Sequence, residues 1–129
     1  MGVDPIVEQN SAIYREQSRL IQEFAEKSDC VIVGRSADYI LRDKHPFRLF
    51  IYAEMEHKME RCRKRAPENE HFTDKELKRH IQDVDKRRAR YYQFFTGQTW
   101  GERLNYDLCV NPSNYEIKEL AKAIARLVD

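Results

Sequence analysis

The chain has 129 residues, a length that fits a single domain spanning residues 1–129. A hydrophobic content of 41% excludes wholesale disorder, and four glycines with four prolines are too few for a small β-sandwich rich in tight turns. The net charge of +1 excludes a chain that is basic throughout, so any anion-binding site must come from local clustering of charge.

The first third of the chain predicts a long helix followed by a buried strand. An N-cap at Asp4 begins a helix over Pro5–Lys27, where apolar residues recur at helical spacing. Cys30–Val33 is a short β-branched run ended by Gly34, which is typical of a strand buried on both faces of a parallel sheet. A short helix or turn over Ala37–Leu41 follows it.

The middle of the chain predicts a second strand and two helices. The strand covers Phe47–Tyr52, and a helix over Glu54–Arg65 with a basic C-terminal end follows it. A basic helix over residues 72–95 begins with a capping box formed by Thr73 and Glu76.

The C-terminal part predicts a third strand, Tyr106–Val110, and a final helix. Ser113 and Glu116 form a second capping box. The helix after it is expected to bury its apolar face, which consists of Ile117, Leu120, Ala121, Ile124 and Leu127. Because strands alternate with helices, we predict the α/β class with a parallel sheet.

Cysteine usage and the absence of apolar segments predict a cytoplasmic protein. Cys30, Cys62 and Cys109 are odd in number and widely spaced, which favours packing roles over a zinc site. The four histidines show no ligand spacing, so no metal site is predicted. No apolar run approaches the roughly 18 residues of a membrane span, and no signal-peptide pattern is visible, so no membrane partner is expected.

Positive charge is concentrated in residues 57–90, which hold 12 Lys and Arg against 7 Asp and Glu, whereas the rest of the chain is net negative. The densest stretch is Asp83–Arg90. One interpretation is a solvated helix face with ion pairs along it. The other is an arginine-rich arm that closes over phosphates, because guanidinium groups bind phosphate bidentately and stay charged.

Arg35 lies immediately after the first predicted strand, where ligands bind in open parallel sheets. Gly34 allows a sharp turn there, and Ser36 and Asp38 offer hydrogen bonds to a sugar or base. The aromatic residues Trp100 and Tyr91-Tyr92 are interpreted either as base-stacking groups or as part of the core.

Five segments in order resemble the cytidylate kinase-like family, which is related to the P-loop nucleoside monophosphate kinases. They are residues 30–41 (CVIVGRSADYIL), 50–53 (FIYA), 85–92 (DKRRARYY), 96–101 (TGQTWG) and 105–111 (NYDLCVN). The resemblance implies a three-layer α/β/α fold with a short parallel sheet. It also implies phosphoryl transfer from ATP, with Mg²⁺, to CMP or a related nucleoside monophosphate.

The resemblance also implies roles for individual residues. Arg35 would hold the acceptor phosphate, with Ser36 and Asp38 near the nucleoside. Arg61 and Arg65 would lie where related kinases carry substrate-binding arginines. The 72–95 helix would act as a lid, and its arginines would neutralise charge on the moving phosphate. The catalytic residues of this lid would be Asp85, Arg87, Arg88 and Arg90.

The chain departs from the family at the phosphate loop. Family members begin with a strand and a glycine-rich loop, but no G-x-x-x-x-G-K pattern occurs in this sequence. Without the loop's backbone N–H groups, ATP binding should be severely weakened. The fold is therefore expected to be a truncated P-loop kinase fold that lacks its central strand.

Three explanations of the missing strand stay open: the chain is the C-terminal part of a longer protein, the remaining strands pair directly, or a second copy fills the gap. We favour a self-closed three-stranded sheet, with a homodimer as a further possibility. A non-catalytic nucleotide- or phosphate-binding module is the alternative function. A nucleic-acid-binding module using Lys78–Arg90 and the Tyr91-Tyr92 pair is disfavoured by the near-neutral net charge.

Overall fold

The computed structural model describes the backbone of residues 5–128 and the side chains of residues 8–128. The predicted cap at Asp4 lies outside the described residues. The chain divides into two compact units, the first ending at Pro46 and the second beginning at Phe47. The single domain over residues 1–129 stays a prediction, and each unit is described separately. No described helix is long and apolar enough to cross a membrane.

The first unit is helical. Helix α1 spans Pro5–Lys27, as predicted, and a short helix α2 spans Ala37–Ile40, followed by a 3-10 turn at Arg42–Lys44. Its small buried core comes from both helices and consists of Ile21, Ala37, Ile40 and Leu41. Partly buried hydrophobic residues pack against this core, and these are Tyr14, Ala25 and Ile32.

The strand predicted at Cys30–Val33 is wrong, because these residues have no regular secondary structure. Val31 and Val33 are 94% and 89% exposed, and only Ile32 packs against the core of the first unit. A strand requires a neighbouring strand to pair its backbone groups, and Cys30–Val33 pairs with neither of the two described strands. The β-branched residues therefore favour a buried, extended strand, but in this structure the segment is neither paired in a sheet nor buried.

The second unit contains the sheet. Strands β1 (Leu49–Ile51) and β2 (Leu108–Val110) are parallel, with Phe50 opposite Cys109. Both are shorter than predicted, and the sheet of the described residues has two strands, so the expected self-closed three-stranded sheet is wrong. The α/β class with a small parallel sheet is confirmed.

One edge of β1 is unpaired among the described residues. The Leu108 N–H donates to the Arg48 carbonyl at 3.2 Å, and the Tyr52 N–H donates to the Val110 carbonyl at 3.0 Å. Alternate residues of a parallel strand bond to the same neighbour, so the backbone groups of Leu49 and Ile51 point to the other edge. Ile51 is 57% exposed there, which leaves an open apolar edge.

Helices α3 (Met55–Arg65) and α4 (Asp74–Thr96) connect the strands. The predicted capping box is confirmed: the Glu76 N–H donates to Thr73 Oγ1 at 3.2 Å, and the Thr73 N–H donates to Glu76 Oε1 at 3.3 Å. Gly97 ends α4 with a φ of 71°, a left-handed conformation that glycine adopts without a Cβ penalty. The residues of α4 that are buried are Leu77, Ile81, Tyr92 and Thr96.

The final helix, α5 (Ile117–Val128), differs from its prediction at its start and on its apolar face. Ser113 does not cap it, because the helix begins only at Ile117, four residues later. None of the five apolar residues expected in the core is buried, and Ile117 and Leu127 are 58% and 62% exposed. A two-stranded sheet is too narrow to cover the apolar face of this helix.

Candidate phosphate-binding site

The loop between Val33 and α2 has three consecutive residues in the left-handed region. Gly34, Arg35 and Ser36 have φ values of 73°, 59° and 56°. Glycine tolerates this region, but a residue with a side chain is found there uncommonly, and two in succession are more so. Such strain persists where the surrounding structure imposes it, and it is concentrated at ligand-binding sites.

Ser36 is 6% exposed, and its hydroxyl has no hydrogen-bond partner among the described residues. A buried hydroxyl without a partner costs about 1–3 kcal/mol, so it calls for an explanation. The Ser36 carbonyl accepts from Ile40 N–H at 2.9 Å and thereby begins α2, whereas the N–H groups of Arg35 and Ser36 donate to no described residue. The loop thus presents two free N–H donors next to an unsatisfied hydroxyl.

The Arg35 side chain is exposed and makes no ion pair with a described residue. Arg42, one of its neighbours in the first unit, is engaged: it donates to the Tyr39 carbonyl at 2.9 Å and stacks over the Tyr39 ring at 4.0 Å. Asp38 is half-buried in the first turn of α2. A guanidinium group with free N–H groups beside it is the donor set that a phosphate prefers.

The remaining predicted site residues lie in the second unit. Arg61 and Arg65 are exposed on α3, and neither makes an ion pair within the part of the chain that is described. Arg63, between them, differs because it pairs with Asp74 and donates to the Phe72 carbonyl at 3.2 Å. Arg63 therefore ties α3 to the start of α4, whereas Arg61 and Arg65 are available to a ligand.

The lid residues predicted on α4 divide into two groups. Asp85 accepts from Lys58 Nζ at 2.7 Å, and Arg88 Nη1 lies 3.8 Å from the same carboxylate. Arg87 and Arg90 are exposed and unpaired among the described residues. The structure therefore brings Asp85 into a contact between α3 and α4 and leaves Arg87 and Arg90 free.

A polar network that the sequence analysis missed lies at the carboxyl ends of both strands. Asn111 Nδ2 donates to Glu54 Oε1 at 3.0 Å, and the Ser113 hydroxyl lies 3.5 Å from Glu54 Oε2. His57 Nδ1 is 3.4 Å from the same carboxylate. The Asn111 hydrogen bond is the main reason that the pKa of Glu54 lies below its ordinary value. Polar residues directly after two parallel strands were the available signal.

Of the predicted aromatic stacking groups, Tyr92 is buried in the second unit, whereas Tyr91 and Trp100 are half-buried. Tyr92 is 5% exposed and its hydroxyl donates to Gln98 Oε1 at 2.8 Å. Trp100 packs edge-on against Phe50 with ring centroids 5.2 Å apart. Phe94, which the sequence analysis did not single out, is 62% exposed on α4.

One comparison with known proteins identifies a family. The sequence matches the profile of the cytidylate kinase-like family over residues 7–114. The fold resembles the crystal structure of an uncharacterized protein from Eubacterium ventriosum ATCC 27560, with a TM-score of 0.79 and 29% sequence identity. That alignment covers 91% of this chain and 65% of the relative, so the chain spans about two thirds of the relative's length. A comparison with curated proteins returns no match.

Proposed function

This chain belongs to the cytidylate kinase-like family, and we propose that its 129 residues bind the phosphate of a nucleoside monophosphate such as CMP at Arg35 and Ser36. Asp38 then lies near the nucleoside. The proposed fold is the truncated P-loop kinase fold, in which this loop follows a strand position. Phosphoryl transfer to that monophosphate is the activity proposed for the complete kinase site.

The observation that carries the proposal is the combination at Ser36. It has a strained backbone and a buried hydroxyl without a partner among the described residues, and it follows the exposed Arg35 in sequence. We expect a phosphate bound at this loop to accept hydrogen bonds from these groups. Its binding would offset the cost of the unsatisfied hydroxyl, which explains why the loop tolerates it.

The nucleotide that donates the phosphoryl group is proposed from family membership. The family generally uses ATP and Mg²⁺, but the 129 residues contain no glycine-rich phosphate cradle. The side chains of the described residues do not fit a protein-held Mg²⁺, since no three metal-binding groups cluster among them. Turnover therefore requires a cradle supplied from outside these residues.

Without that cradle the chain acts as a nucleotide-binding module, which is the second candidate function. The residues proposed to act on the transferred phosphate remain Arg87, Arg88 and Arg90, with Arg61 and Arg65 on the acceptor side. We propose that Asp85 holds α4 in position, because its carboxylate is paired with Lys58. ADP formation from ATP and CMP distinguishes a working kinase from a binding module.

A second copy of this chain is proposed to pair with the free edge of β1. The backbone groups of Leu49 and Ile51 supply the hydrogen bonds, and covering Ile51 supplies apolar burial. Sedimentation analysis should then show a dimer that Ile51→Lys dissociates. A wild-type chain that is monomeric at all concentrations would contradict the proposed dimer.

The test of the binding site is calorimetric titration of CMP into wild-type protein, Arg35→Ala and Arg15→Ala. Arg15 is a matched control, because it is an exposed arginine on α1 with no ion pair among the described residues. Arg35→Ala should weaken CMP binding about tenfold or more, since it removes charge-assisted hydrogen bonds worth about 1.5–3 kcal/mol. Equal affinities for wild type and Arg35→Ala would refute the site.

A further inference from the structure

Helix α5 has two faces of different chemistry. Its apolar residues recur at spacings of three and four, which places them on one face; they are Ile117, Leu120, Ala121, Ile124, Leu127 and Val128. The opposite face carries three basic side chains at intervals of four residues, and these are Lys118, Lys122 and Arg126. Because Glu119 is the one acidic residue in Ile117–Val128, three positive charges against one negative charge give the helix a net charge of +2.

The apolar face of α5 is not covered by the described part of the chain. Ile117, Leu127 and Val128 are 58%, 62% and 57% exposed. Leu120 and Ile124 are half-buried, and no described helix or strand is packed along the length of α5. Single exposed apolar residues are ordinary on a protein surface, but several that share one face mark a surface that binds a partner.

The charge of α5 indicates which partner suits this face. The same helix of a second copy would also have a net charge of +2, so pairing the two helices would bring like charges together. A bilayer that contains anionic lipids suits both faces at once, because its acyl chains accept apolar side chains and its headgroups attract lysine and arginine. The charge therefore favours an anionic membrane surface over a second α5.

We propose that α5 lies in the surface of a membrane that contains anionic lipids, with its apolar face among the acyl chains and its basic face among the headgroups. Such a helix lies parallel to the membrane, so it does not need the apolar run of roughly 18 residues that a spanning helix requires. Lys122 pairs with Glu119 at 3.3 Å, but both side chains are exposed, so a headgroup competes for the lysine. The inference is independent of the proposed nucleotide site.

The test is co-sedimentation of the chain with lipid vesicles at low salt. Vesicles of phosphatidylserine and phosphatidylcholine in equal parts should bind the wild-type chain about thirtyfold more tightly than vesicles of phosphatidylcholine alone. Replacing Lys118 and Arg126 together by Gln should weaken binding to the anionic vesicles by about the same factor, since each basic residue near the surface contributes roughly fivefold.

Apolar variants test insertion separately from electrostatic attraction. Ile117→Ser and Leu127→Ser, at opposite ends of the apolar face, should each weaken binding to anionic vesicles about tenfold, because the bilayer no longer buries a large apolar side chain. Leu104→Ser is the matched control, since Leu104 is 80% exposed in the 3-10 turn Arg103–Asn105, outside α5, and this variant should bind as wild type does. Circular dichroism checks that each variant is folded.

Three results overturn the inference. The first is an absence of wild-type binding to the anionic vesicles, and the second is equal binding to vesicles with and without phosphatidylserine. The third is binding by folded Ile117→Ser and Leu127→Ser that equals that of wild type. A wild-type dimer that Leu127→Ser dissociates, in a chain that binds no vesicles, would assign this face to a second copy instead.

Discussion

Lys58 Nζ lies 2.7 Å from Asp85 Oδ2, and this pair joins helix α3 to helix α4. Both side chains are partly buried, at 34% and 25% exposed, so water screens the pair less than it screens an ordinary surface ion pair. The contact sets the position of the helix that carries Arg87 and Arg90. This contact supports the proposed positioning role of Asp85, and the catalytic role that the family resemblance implies for it stays a prediction.

A double-mutant cycle tests the Lys58–Asp85 pair. Asp85→Asn and Lys58→Met should each lower the free energy of unfolding, and their coupling energy should be about 1 kcal/mol, at the upper end for exposed pairs. Urea unfolding followed by circular dichroism measures it. A coupling energy near zero, combined with a loss of nucleotide binding in Asp85→Asn, would contradict the positioning role and favour direct binding of a ligand by this carboxylate.

Ser36→Ala should separate stability from binding. The substitution removes a buried hydroxyl that has no partner, so the free protein should become more stable by about 1 kcal/mol. The same substitution should weaken CMP binding, because the hydroxyl is proposed to donate to the phosphate. Chemical unfolding without ligand and calorimetry with CMP give the two values. A loss of stability would mean that the hydroxyl is satisfied in the free protein.

Two glycines with positive φ provide a matched comparison. Gly97 (φ 71°) has open space where a Cβ would lie, whereas a Cβ on Gly101 (φ 84°) would lie 3.2 Å from Phe50 Cζ. Gly97→Ala should cost about 1 kcal/mol from the backbone alone, and Gly101→Ala should cost more because the Phe50 ring must shift. Equal losses in thermal unfolding would show that the ring yields freely.

Acid should weaken the start of the sheet. The Arg48 N–H donates to Asp107 Oδ2 at 2.7 Å, and this bond, with that of the Arg48 side chain, lowers the pKa of Asp107. A lowered folded-state pKa gives stability that is present above the ordinary aspartate value of about 3.9 and is lost as the pH falls below it.

Urea midpoints between neutral pH and about pH 3 should therefore fall less steeply for Asp107→Asn than for wild type. Glu54, whose pKa is lowered first by the Asn111 hydrogen bond, keeps part of the dependence in this variant. Parallel curves for the two proteins would show that Asp107 is not linked to folding.

Local signals predicted much of the secondary structure. The capping box at Thr73 and Glu76 is confirmed at the start of α4, because it depends on four consecutive residues only. Helix α1 and the parallel orientation of the sheet also agree with the sequence. The strand predicted at Cys30–Val33 is wrong, because a strand depends on a partner strand that is distant in sequence. The burial predicted for the apolar face of α5 is wrong for a similar reason, because burial depends on a packing partner elsewhere in the chain.

The candidate site was predictable in part. Arg35 and Ser36 were indicated by their place after an apolar run, but the left-handed backbone and the orphan hydroxyl of Ser36 were not, since three-dimensional packing imposes both. Asp85 was grouped with the lid because its sequence neighbours are arginines. Only the fold brings Lys58 against it, from 27 residues away.

The most direct test of the acceptor site is a CMP titration of ¹⁵N-labelled protein followed by amide resonances. The amides of Arg35 and Ser36, which donate to no described residue, should shift at the lowest CMP concentrations, and downfield as they bond to the phosphate. Shifts confined to other parts of the chain, with both of these amides unchanged at saturation, would contradict the account.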